Sequence, residues 1–172
     1  GICEHNRDDL LSLVILAGVL LALAHEPMKA HETPYELFGL GRACELAGRL
    51  EKAAVLYEGG LRRLAAAARR GEGPTAAALE QRIRLRLARV LKRLGRHQEA
   101  VSHWWQLVES EAATYEAYVE LAKYYEHRIR DLTTALALVD RALAVNPGQR
   151  EQEALLHRRQ RLVRKLGRQA RA

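Results

Sequence analysis

Four arginines on one predicted helix have a residue type and a spacing that could form a binding surface for an anion. Arg82, Arg86, Arg89 and Arg93 recur at helical spacing and share one face. The formal charge of +7 and the sequence pI of about 9.8 are typical of a protein with an anionic partner, and equally of one with an Arg-rich solvated surface. A second basic strip lies near the C-terminus (Arg158, Arg161, Arg164, Lys165, Arg168). For each strip, both interpretations stay open.

Other kinds of site chemistry have no support in the sequence. His97 and His103 are six positions apart, so they do not share a helical face, and no Cys/His cluster has the spacing of a zinc site. There is no Gly-rich phosphate loop and no G-x-S-x-G nucleophile motif. We therefore expect this chain to have no cofactor of its own and not to be an enzyme by itself.

The elements that position the basic residues are predicted to be helices. The sequence is rich in Leu, Ala, Arg and Glu, its four prolines leave long Pro-free intervals, and no segment alternates apolar and polar residues with period two. These features predict an all-α fold. At 172 residues the chain has the size of one domain or a short repeat array. Cys3 and Cys44 make no disulfide framework, which favours a reducing cytoplasm.

An apolar run occupies residues 10–24. Glu4, Asp8 and Asp9 precede it, which is the wrong charge for a signal peptide, and the run is shorter than the roughly 18–20 residues that span a bilayer. We expect no membrane role. The pattern instead predicts a helix capped by Asn6 that is apolar on most sides and needs a large partner surface. If exposed, this helix would favour a homodimer.

Three segments share one pattern of small and large residues. Each predicts a helix with Leu before a small residue, a short turn, and a second helix with an Ala followed four positions later by a bulky residue. The segments are "LFGLGRACELAGRLEKAAVLYEGGL", "RLRLARVLKRLGRHQEAVSHWWQLV" and "YVELAKYYEHRIRDLTTALALVDRALAVNP". Gly48 and Gly95 fall in the turns, where a left-handed residue is needed. The pattern resembles the tetratricopeptide repeat (TPR), and the third copy ends in the Asn146-Pro147 typical of it.

The sequence departs from that repeat in three ways. Ala53 and Ala100, at equivalent positions, are 47 residues apart rather than about 34. Arg84 stands where the repeat has Trp, and the turn at "EHRIRD" has one extra residue. The resemblance nevertheless implies an all-α, α-α superhelix of about three TPR-like helix pairs over residues 33–167. An apolar helix would precede the pairs, a capping helix from Gln149 to Leu166 would follow them, and residues 168–172 would form a basic tail.

The resemblance also implies a binding groove, because the first helix of each TPR pair lines the concave surface. The groove residues would be Phe38, Arg42, Arg82, Arg89, Lys92, Arg93, Lys123 and His127. Such a surface would attract a protein partner with an acidic segment, or the phosphate backbone of a nucleic acid. The Asn pairs of the TPR clamp for C-terminal carboxylates are absent, so that ligand is not predicted.

The N-terminal string "HNRDDLLSLVILAGVLLAL" is similar to the last motif of DEDD-type 3′–5′ exonucleases on the ribonuclease-H fold. In that motif an aromatic residue or His precedes a metal-binding Asp by four positions, as His5 precedes Asp9 here. Together with the repeats, this resembles the bacterial YprB type of exonuclease. The resemblance implies that residues 1–27 are the last helix of a truncated nuclease domain. Helix N-capping explains the same string without any nuclease.

The nuclease resemblance makes the chain a remnant without activity. Asp9 would ligate Mg or Mn only if the upstream nuclease domain supplied the other carboxylates, with His5 orienting the attacking water. The leading hypothesis is a cytoplasmic binding and scaffold module, the tail of such an exonuclease, which binds a protein or a nucleic acid. The alternative is a free-standing TPR adaptor for protein–protein interaction without a nuclease link.

Overall fold

The computed structural model describes residues 33–70, 76–110, 114–145 and 148–170. In these ranges the chain forms seven α-helices and one π-helix, with no strand, which confirms the predicted all-α class. The helices are α1 (Pro34–Leu46), α2 (Leu50–Arg69), α3 (Ala76–Arg93), α4 (His97–Glu109), α5 (Tyr115–Tyr124), the π-helix (Tyr125–Ile129), α6 (Leu132–Ala144) and α7 (Gln149–Gln169). The predicted nuclease helix at 1–27, its apolar run and the proposed dimer contact lie outside the described residues.

The chain divides into two compact units, residues 1–94 and residues 95–172. The first contains α1 to α3 and the second contains α4 to α7. In the first unit, α1 packs on α2 and α2 packs on α3. Across the helices that the structure describes, none is long and apolar enough to cross a membrane.

Helix α1 begins where its sequence predicts a start. The Thr33 hydroxyl accepts a hydrogen bond from the Glu36 N–H at 3.2 Å, and the Glu36 carboxylate accepts one from the Thr33 N–H at 2.7 Å. Pro34 occupies the first turn, where its missing N–H costs nothing. This capping box satisfies two of the donors that a helix start leaves unpaired.

A contact between a small and a large residue joins α1 to α2. A Cβ atom added to Gly41 would lie 2.5 Å from Cε1 of Tyr57, whose side chain is fully buried. Only glycine admits the ring at this distance. Gly48, in the turn that follows α1, has a φ of 74°, and Gly95, in the turn before α4, has a φ of 78°. Both glycines therefore adopt the left-handed conformation that their positions predict.

The extra residue in the third turn becomes a π-helical turn in the second unit. Helix α5 continues into the π-helix, and the N–H of Asp131 donates to the carbonyl of Tyr125 at 3.0 Å. Arg130 closes the turn with a φ of 63°. A one-residue insertion is commonly absorbed in this way, and it re-aims the side chains beside it. Asp131 then caps α6 by accepting from the N–H and the hydroxyl of Thr134.

Helix α7 corresponds to the predicted capping helix and extends three residues further. It packs on α6 and buries Leu155 and Leu162, which are seven residues apart on one face. Its other faces are mostly charged, but Leu156 and Val163 are 43% and 45% exposed. The outer surface of α7 is therefore less polar than a terminal cap predicts.

Candidate functional site

In the first unit, six of the predicted groove residues lie on α1 and α3, which contact each other, and two of the six form a cation–π contact. The Arg82 guanidinium on α3 lies 5.0 Å from the ring centroid of Phe38 on α1. Phe38 is 8% exposed, and its ring is 6.1 Å from that of Tyr57. Arg42 is exposed and follows Phe38 by one helical turn. We call Phe38, Arg42 and Arg82 the α1–α3 face, in which one cation lies over a buried ring and a second cation lies one helical turn along α1.

Arg86 has a different role from the one its spacing predicts. Its guanidinium donates to the Glu45 carboxylate at 3.1 Å, and the Tyr57 hydroxyl donates to the same oxygen at 2.8 Å. Burial raises the pKa of Tyr57, and the hydrogen bond to Glu45 raises it further, so the phenol stays a donor. This network ties α1, α2 and α3 together. Arg86 is thus held by a carboxylate and is not offered to a ligand.

The other predicted groove residues divide between the two units. Arg89, Lys92 and Arg93 are exposed on α3. In the second unit Lys123 donates to Glu120 at 2.6 Å, and His127 is exposed in the π-helix, with its Nε2 3.7 Å from Glu126. That all eight residues line one groove stays a prediction.

Sequence reasoning missed the central residue of the second unit, Glu126. Its side chain is fully buried, and it accepts hydrogen bonds from Arg158 at 2.8 Å, from Arg161 at 2.7 and 3.0 Å, and from Lys165 at 2.7 Å. Burial alone would raise the pKa of this carboxyl, but the hydrogen bonds from Lys165 and Arg161 outweigh burial and lower the pKa to about 2. We call these four residues the Glu126 cluster.

The Glu126 cluster changes the interpretation of the C-terminal basic strip. Its three cations recur at helical spacing on α7 and all donate to one buried carboxylate, so their spacing is explained by this internal pairing. Arg164 instead donates to the carbonyl of Gln160 at 3.4 Å and is exposed, as is Arg168. One sequence signal could have identified Glu126. It is the extra residue in the turn at "EHRIRD", combined with basic residues at positions i, i+3 and i+7 of the last helix.

Of the paired tryptophans, one lies in the core and the other at its rim. Trp104 is 2% exposed, whereas Trp105 is half-buried with its ring edge-on to Tyr125 at 6.3 Å. A base could not stack on Trp104 in this conformation. Cys44 is buried as well, and burial raises the pKa of its thiol, which makes it a poor nucleophile.

No described residues group three or more His, Cys, Asp or Glu side chains in a way that could hold a metal ion. His5 and Asp9, the residues tied to Mg or Mn by the nuclease resemblance, lie outside the described residues. The structure therefore bears on neither of their predicted roles.

A solved structure resembles this chain. It is a crystal structure of BtubC (BKLC) from P. vanneervenii, with a TM-score of 0.53 and 21% sequence identity, covering 95% of this chain and 76% of that chain. At this identity the likeness shows the fold alone, an all-helical one. No family model matches the sequence, and no curated protein matches it.

Proposed function

We propose that this chain is a non-catalytic, TPR-like binding module, located in the cytoplasm, whose α1–α3 face takes an acidic segment of a protein partner. The observation that carries the proposal is the Arg82 guanidinium placed over the Phe38 ring, with Arg42 one turn away. The tight contact between Gly41 and Tyr57 and the left-handed turn at Gly48 support the TPR-like part of the proposal.

The chemistry of the α1–α3 face favours carboxylates. A guanidinium presents its N–H donors in a planar fork that matches a carboxylate, and the cation–π contact with Phe38 holds that fork in place. Because Arg82 lies over it, the ring of Phe38 offers little open surface on which a base could stack. Nucleic acid would therefore meet this face through its phosphates rather than its bases. This favours a protein partner, and the experiment below includes nucleic acid as the competing result.

The experiment is fluorescence anisotropy of the purified chain with a labelled Glu/Asp-rich peptide, single-stranded DNA and single-stranded RNA, at several salt concentrations. We expect the peptide to bind and its affinity to fall steeply with salt. The double variant Arg42→Gln/Arg82→Gln should weaken binding about a hundredfold, since two charged hydrogen-bonding groups are lost and each contributes about a factor of ten. The control Arg69→Gln removes one exposed charge from α2 and should change affinity less than twofold.

Each outcome decides between the partners. Binding of DNA or RNA without binding of the peptide would make the protein partner wrong and the nucleic-acid reading right. If no probe binds at low salt, or if Arg69→Gln weakens binding as much as the double variant, the α1–α3 face is not a binding site.

The link to a ribonuclease-H-like exonuclease is a proposal that rests on His5 and Asp9 in the sequence. It requires a longer polypeptide whose upstream part carries the remaining metal-binding carboxylates. Mg- or Mn-dependent 3′–5′ exonuclease activity of such a polypeptide, abolished by Asp9→Asn, would support it. Activity that survives Asp9→Asn, or upstream sequence without acidic motifs, would leave the free-standing TPR adaptor as the better description.

A further inference from the structure

A cleft of about 490 Å³ lies beside the Glu126 cluster in the second unit. The π-helix and the start of α6 form one side, and the last turns of α7 form the other. Its lining residues are Glu126, His127, Arg130, Leu132, Lys165 and Arg168, together with Gln169. The cleft is therefore lined by four basic side chains and one carboxylate. Nothing in the sequence pattern assigns it to the predicted groove, although His127 belongs to both.

Positive charge around the cleft exceeds negative charge. The one lining carboxylate, Glu126, already accepts hydrogen bonds from Arg158, Arg161 and Lys165. Among the described residues, neither Arg130 nor Arg168 has a carboxylate partner. Arg130 and Arg168 thus add two positive charges to a cluster whose own sum is already positive.

A second carboxylate near the cleft does not offset this excess. Asp131 follows Arg130 directly, but it caps α6, with its oxygens 3.0 Å from the N–H and 2.6 Å from the hydroxyl of Thr134. Those bonds lower the pKa of Asp131 and fix its carboxylate at the helix start. Glu126 and Asp131 are therefore both engaged, whereas the guanidinium groups of Arg130 and Arg168 have no carboxylate partner in the part of the chain that the structure describes.

The cleft is built on fixed backbone. Lys165 is anchored by its hydrogen bond to the buried Glu126 carboxylate. Arg130 is the one non-glycine residue with a positive φ among the described residues, and hydrogen bonds to the Tyr125 carbonyl hold it in that conformation. Leu132 is 8% exposed and provides an apolar wall. An anion entering the cleft would meet donors from two separate elements whose main chains are already in place.

We propose that this cleft binds a phosphate monoester. A phosphate monoester carries close to two negative charges at neutral pH and three acceptor oxygens, which suits the guanidinium groups of Arg130 and Arg168 and the neighbouring ammonium of Lys165. The same chemistry occurs in a phosphorylated side chain of a protein partner and in free phosphate. The site shares no residue with the α1–α3 face, so its variants test it independently of any acidic peptide at that face.

The test is isothermal titration calorimetry with a short capped alanine peptide that contains phosphoserine, its unphosphorylated form, and inorganic phosphate. We expect the phosphopeptide to bind, the unphosphorylated peptide not to bind, and inorganic phosphate to compete. Arg168→Gln and Arg130→Gly should each weaken binding about tenfold. The control Arg150→Gln removes an exposed arginine from the other end of α7 and should change affinity less than twofold.

Arg130→Gly separates binding from folding, because glycine adopts a positive φ without strain and the variant should unfold no more easily than the parent. A phosphopeptide that binds more tightly than inorganic phosphate indicates a phosphorylated protein as the source, and equal affinities indicate free phosphate; both results keep the site. The proposal is wrong if the two peptides bind alike, or if Arg150→Gln weakens binding as much as the cleft variants. Neither result would bear on the proposal for the α1–α3 face, which is tested by the variants at Arg42 and Arg82.

Discussion

Replacing Glu126 with Gln should destabilise the second unit more than any other change of one carboxylate to its amide. The Glu126 side chain is fully buried and accepts four hydrogen bonds from three cations on α7. Gln keeps the size of the side chain and one acceptor oxygen. The NH₂ group of Gln, however, would place its N–H donors against the N–H donors of the cations, so about half of the hydrogen bonds would be lost.

Two routes give the size of the effect. Hydrogen bonds to charged groups contribute about 1.5–3 kcal/mol each, so the loss of two costs roughly 3–6 kcal/mol. Arg161 and Lys165 are 44% and 43% exposed and regain hydration when released, which favours the lower end. A pKa lowered from 4.5 to about 2 corresponds to about 3 kcal/mol. We expect Glu126→Gln to lower the free energy of unfolding by about 3 kcal/mol.

Urea denaturation followed by circular dichroism measures this change. The matched control is Glu153→Gln, the same chemical change at an exposed position on α7, which should alter the free energy of unfolding by less than about 0.5 kcal/mol. A loss below about 1 kcal/mol for Glu126→Gln, with the denaturant slope unchanged, would contradict the reasoning. It would mean that the three cations find equivalent partners without the carboxylate.

The pH dependence of the same pair of proteins follows from the sign of the pKa change. The carboxyl has a pKa of about 2 when folded and its ordinary value of 4.5 when unfolded. Its contribution is therefore complete above pH 4.5 and is lost as the pH falls toward 2. The unfolding free energies of the parent and Glu126→Gln should converge over that interval. A difference in unfolding free energy that stays constant down to pH 2 would show that the carboxylate charge is not the source of the stabilisation.

Four further substitutions test packing and capping. Gly41→Ala should destabilise the first unit by about 1–3 kcal/mol, because its Cβ would overlap the buried ring of Tyr57, and thermal unfolding would measure this. Gly39→Ala lies in the same helix, and among the described residues its new Cβ would meet no packing neighbour within 4 Å, so it should instead stabilise the unit by about 0.5–1 kcal/mol. The same sign for both substitutions would contradict the packing argument. Asp131→Ala should cost about 1 kcal/mol by removing the cap of α6, and Asp131→Asn should recover most of it; equal losses would show that the cap contributes little.

Local sequence predicted much of the fold, since helix periodicity and turn chemistry act over a few residues. The Pro-free, Leu/Ala-rich intervals predict helices, and the structure has them wherever it is described. The left-handed glycines at positions 48 and 95 follow from turn chemistry alone. Gly41 and Tyr57, which are in contact, occupy the small and the bulky position of the pattern in the first segment. For these features, short-range sterics and repeat spacing carry enough information.

Only the tertiary structure decided which basic side chains are paired with a carboxylate. The spacing of Arg158, Arg161 and Lys165 on α7 is the same whether the three side chains face solvent, a ligand or a buried acid. Glu126 reaches them from more than thirty positions away, after an inserted residue turns the end of α5 into a π-helix. Arg86 likewise pairs with Glu45, which lies 41 positions earlier in the chain. The sequence by itself determined how many positive charges each helix carries, whereas packing decided which of them are neutralised, because charge pairing depends on distances between elements that are remote along the chain.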